Sequence, residues 1–186
     1  VLEGGTAYRI NNPQNNREYF VLEHIQNRSW NLSLLGHGLL VYHVKYPSTV
    51  VNMSDHPNNT VGKPGMAIVP ADGTLASSYL IGKESPWGTD VKTDDDGNVI
   101  SDHIATTLDY QYHHYGDPFP GSTSVTELKS AMALPNYCWY TEEEEVKGAL
   151  YNITEDEETG AVSFYYSKDG TNAITAIDRQ DTPAET

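Results

Sequence analysis

Apolar residues along this chain return at every second position, or in short solid runs bounded by Gly, Pro, Asn and Asp. Successive side chains of a strand point to opposite faces, so a period of two marks a sheet with one wet face and one buried face. The pattern predicts strands over 7–10, 18–24, 38–46, 66–70, 138–141, 148–154 and 161–167. The run LLGHGLLVYHV, which starts at Leu34, is solidly apolar from Leu39 through Val41, and such a strand is expected to be covered on both faces. Tyr is more than four times as frequent as Phe (13 against 3), which suits half-buried sheet positions where one end of the ring stays wet.

The connections carry their own signals. The stretch 150–166 reads as a β-hairpin with an acidic turn and with Gly160 placed where a positive φ is needed. Between 82 and 121 the apolar rhythm is lost among Gly, Pro, Asp and Ser, which predicts a long structured loop with a turn at Asp95-Asp96-Gly97-Asn98. Ser124-Val-Thr-Glu127 has the form of a capping box, and the LKSAMAL that follows predicts a helix of about two turns ending before Pro135. The fold class expected is mainly β: an antiparallel sheet or sandwich-like domain with long loops and at most one or two short helices. It fills one domain over 1–177, followed by a polar tail at 178–186.

A formal charge of −15 repels phosphate backbones and argues against nucleic-acid binding. No run approaches the ~18 apolar residues of a membrane-spanning helix. Cys138 is the only cysteine, so the chain holds neither an internal disulfide nor a cysteine-based zinc site. It lies in NYCWY beside aromatic rings, which predicts a buried, inert thiol. The first residue is Val1 rather than Met, and the chain is expected to be a processed piece of something longer.

Three groups of residues have the chemistry of a site. His37 and His43 flank the apolar run, but on an extended strand that spacing separates them by roughly 20 Å. They are expected to be structural histidines rather than ligands of one metal. His113, His114 and Asp117 form a second group. Neighbouring strand residues face opposite ways, so only one of these histidines can act with Asp117, and a packing role in a loop is the preferred reading. The third group is Asp94, Asp96 and Asn98 with Asp102, where alternating oxygen ligands before Gly97 suggest calcium. An EF-hand in that register would start at Lys92 and place His103 where a bidentate Glu is required, so that form fails. The alternatives are a solvated turn and a shallower calcium site, which is the one cofactor expected of the chain. Glu142 to Glu145 read as a solvated edge that discourages strand addition. HExxH, GxSxG, P-loop and GxGxxG signatures are absent.

The segments EYFVLEHIQ (18–26), Trp30, GHGLLVYHV (36–44), Asn52 with His56, Ala71-Asp72-Gly73 and GDPFPG (116–121) follow one another in an order that resembles the immune inhibitor A type of secreted bacterial zinc metallopeptidase. The terminal LYNITEDEETGAVSFYY is similar to a hairpin that follows in bacterial members, so the resemblance spans most of 7–167. It implies a β-rich region downstream of the helix whose HExxH stretch holds zinc and activates water. That stretch is not in this chain, so the resemblance implies no catalytic residue here and places the zinc only in the parent catalytic region. It implies an upstream catalytic domain of the same polypeptide as partner, protein substrates reached through that parent, and a secreted or cell-surface location. Asp72 and Asp117 lie within the matched motifs and are expected to be structural. Lys45 stands where the family has an acidic residue and cannot replace it as a cation ligand. The alternative is a free-standing extracellular module that binds glycan or protein through its Tyr and Trp side chains.

Overall fold

The computed structural model describes residues 8–32, 36–46, 63–73, 114–141 and 144–172. These residues are built mainly of antiparallel strands: β1 (Tyr8–Asn11), β2 (Glu18–Ile25), β3 (Gly38–Lys45), β4 (Met66–Ile68), β5 (Cys138–Trp139), β6 (Glu144–Glu145), β7 (Ala149–Glu155) and β8 (Val162–Ser167). The first four form a sheet in the order β1-β2-β3-β4, while β5-β6 and β7-β8 are two-stranded. Among the described residues no helix is long and apolar enough to cross a membrane.

Each main strand follows its alternation. In β2, Glu18, Phe20 and Leu22 turn inward while Tyr19, Val21 and Glu23 turn outward. The turn before it is set by Asn12, whose side-chain oxygen accepts from the backbone N–H groups of Gln14 (2.8 Å) and Asn15 (3.2 Å). This Asx geometry is the reason the NNPQNN stretch reverses the chain. The full length of β2 pairs with β3, from Glu18 opposite Lys45 to Ile25 opposite Gly38. As expected, β3 is covered on both faces: Leu39, Val41 and His43 are buried on one, Leu40 and Val44 on the other. The β7–β8 hairpin also forms, with Gly160 at φ +71°. Leu150 and Ile153 of β7 join Phe20, Leu22, Leu39 and Val41 in one core.

Two expectations need correction. The segment after Ser124 does not form a capped helix. Ser124 has φ +56°, Leu128 exchanges backbone hydrogen bonds with Leu150 (2.9 and 2.8 Å), and Ile153 donates to Thr126 (2.9 Å). Pairing with β7 therefore claims the Leu128 N–H and the Thr126 and Leu128 carbonyls that a helix starting at Ser124 would need for its own ladder, and only a 3-10 turn at Ser130–Met132 remains. Cys138 is exposed, because alternation on β5 sends Trp139 inward instead. Its thiol is still poorly reactive, since partial burial and the Glu18 carboxylate push its pKa up. Only 114–121 of the long loop, and nothing of the tail, lie among the described residues.

Gly38 allows the closest backbone approach in the sheet. Next to it, Leu39 and Phe119 exchange hydrogen bonds of 2.7 and 2.8 Å, and a Cβ on Gly38 would stand 2.4 Å from the Phe119 carbonyl oxygen, at φ +125°. Gly73 also has a positive φ (+75°), but a Cβ there would meet only Leu134, at 3.7 Å. Gly38→Ala is expected to cost more than the roughly 1–3 kcal/mol of backbone strain alone. Gly73→Ala should stay within that range, and urea denaturation of the two variants provides the comparison.

Candidate functional site

The most heavily bonded polar centre lies inside the molecule. Glu18 and His43 are on opposing strands, offset by two residues in the pairing register, and both side chains are fully buried. His43 Nε2 stands 3.0 Å from Glu18 Oε1, which also accepts the Tyr140 backbone N–H. Glu18 Oε2 accepts from the Thr141 hydroxyl (2.6 Å), the Thr141 N–H (3.3 Å) and Asn12 Nδ2 (3.3 Å). A carboxylate can only accept, so the proton of the imidazole sits on Nε2. The ring packs among Tyr140 (centroids 4.0 Å apart), Phe20 (4.6 Å) and Trp139 (6.1 Å). Its Nδ1 is buried with no hydrogen-bond partner among the described residues.

Burial works against ionisation of Glu18. Hydrogen bonds from His43, Thr141 and the Tyr140 backbone, together with the attraction of His43, outweigh it and lower the carboxyl pKa from 4.5 to about 2. A general acid or base needs a pKa near the working pH and access to its substrate. Glu18 has neither, so its chemistry is that of a fixed acceptor joining β2, β3 and the 140–141 segment.

A second junction brings two sequence motifs together. Ala71 N–H donates to the Asp117 carbonyl (3.0 Å), and Asp72 N–H donates to the Gly116 carbonyl (3.1 Å). The Asp72 side chain lies against Gly116. His114 Nδ1 stands 3.0 Å from Asp117 Oδ2, and Asp117 is only 6% exposed. His114 of the histidine pair thus meets Asp117. Asp72 and Asp117, distant in sequence, share this junction.

The third arrangement is at the tip of the β7–β8 hairpin. His37 Nδ1 lies 2.8 and 2.9 Å from the two oxygens of Glu155. Gln26 donates to Glu155 (2.6 Å) and to the Gly160 carbonyl (3.1 Å), and His24 Nε2 donates to the same carbonyl (2.8 Å). An open cleft of about 490 Å³ adjoins these residues, lined also by Arg28, Glu157 and Glu158. His37 and His43 thus hold different carboxylates and share no ligand. Among the described residues no group of three His, Cys, Asp or Glu side chains is placed to hold a metal ion. Asp94, Asp96, Asn98, Asp102 and His113 lie outside the described residues.

A fourth feature is a cleft of about 450 Å³ between β1 and β8. Leu22, Leu39 and Leu150 form its floor, and Tyr8, Phe164 and Tyr166 stand around it with His24 and Ser163. Tyr8 and Phe164 meet edge to face with centroids 5.7 Å apart, and Tyr8 and Tyr166 are exposed.

No family model, no curated protein and no solved structure matches this chain.

Sequence reasoning found His43 and missed Glu18, its partner. The signal was present: position 18 shares a face with Phe20 and Leu22, so an acid there faces the core. The Glu18 pKa is lowered on folding, so its contribution is complete above pH 4.5 and is lost as pH falls toward 2. That difference corresponds to on the order of 3 kcal/mol. Glu18→Gln should lower the urea midpoint at pH 7 and flatten the acid loss of stability between pH 4.5 and 2, as measured by denaturation at a series of pH values.

Proposed function

We propose that this chain is a non-catalytic, β-rich part of a secreted bacterial zinc metallopeptidase, one that packs on or completes the catalytic portion of the same polypeptide. The observation that carries the reading is the meeting of the resembling segments in one body. The segments 18–26 and 36–44 contribute the adjacent strands β2 and β3. The segment 66–73 follows along β3 through β4 and the Val69 N–H bond to the Val41 carbonyl (2.8 Å). GDPFPG then bonds to Leu39 on one side and to Ala71 and Asp72 on the other. The motifs 18–26, 36–44, 71–73 and 116–121 thus have contacts that give each a structural role, while Asn52 and His56 lie outside the described residues. The Glu18–His43 centre is scaffold chemistry of the kind a supporting region needs.

The decisive observation is the reading frame upstream of Val1. An HExxH stretch there supports the proposal, and a frame without one overturns it. The purified chain should show no chelator-sensitive cleavage of fluorescent casein in the presence of zinc, and cleavage abolished by 1,10-phenanthroline would overturn its non-catalytic character. Calcium at Asp94, Asp96, Asn98 and Asp102 is a separable part of the proposal. A specific site raises Tm with calcium concentration, by mass action on the folded state. An unchanged Tm up to millimolar calcium removes it.

A second reading, a free-standing glycan- or protein-binding module, is favoured by the cleft between β1 and β8, where exposed aromatic rings surround an apolar floor. Under this reading a glycan or peptide array gives a signal that Tyr8→Ala and Tyr166→Ala abolish and Tyr46→Ala, at an exposed ring outside the cleft, leaves intact. An array with no signal, or one indifferent to the cleft variants, excludes it.

A further inference from the structure

We draw no further inference here: the strongest candidate, the acidic cleft at the tip of the β7–β8 hairpin where His37 meets Glu155, is a cluster of carboxylates beside one exposed imidazole, and no second observation in the structure points to a ligand there.

Discussion

One buried carboxylate organises the polar interior of this protein. A charge removed from water is tolerated only when its lone pairs are filled. Glu18 fills them from three parts of the chain: Asn12 in the first turn, His43 on β3, and Tyr140 and Thr141 beyond β5. The same residue is therefore a constraint on the turn, on the register of the central strand pair and on the seating of the segment 138–141. A slip of one residue between β2 and β3 would turn Glu18 to the other face, away from His43 and the 140–141 segment, and carry Phe20 and Leu22 out of the core with it. The acid thus specifies register more sharply than the aliphatic residues around it, any of which could repack.

Around this centre the fold is assembled on β3. It is paired by β2 along its whole length, by β4 at one end and by the Leu39–Phe119 bridge at the other. A strand so placed has no free edge where it is bonded and no wet face, which explains its nearly continuous apolar character and its need for Gly38 where Phe119 approaches. The aromatic rings that pack around His43 come from β2 and from 139–140, so the apolar and polar contacts reinforce the same docking. The hairpin β7–β8 adds Leu150 and Ile153 to the core and is held at its far tip by Gln26, His24 and His37.

The strands were legible in the sequence because alternation is a local property, and burial of one face selects it directly. The site was less legible, because His43 and His37 find their carboxylates through tertiary structure, unlike His114, which meets Asp117 three residues on. His43 and Glu18 are 25 residues apart and His37 and Glu155 are 118 apart. No spacing rule links such pairs. The segment from Ser124 shows the limit of local chemistry from the other side. A good capping pattern was overridden because β7 offered its backbone a pairing partner. Cys138 shows a smaller limit: aromatic neighbours in sequence do not bury a residue when alternation points it outward.

The chemistry of the buried pair bears on function through what it prevents. A carboxylate held at a pKa of about 2 stays ionised near neutral pH, and Glu18, fully buried among its donors, has no access to a substrate. Catalytic pairs show the opposite arrangement, with pKa values pushed toward the working pH and one group open to a cleft. In the described part of this protein the hydrogen bonds of Glu18 fix strands in place. The Asp117–His114 junction likewise sits where ADG and GDPFPG are bonded together. Polar groups so placed hold backbone segments in register, and the surface built on those segments keeps a fixed shape.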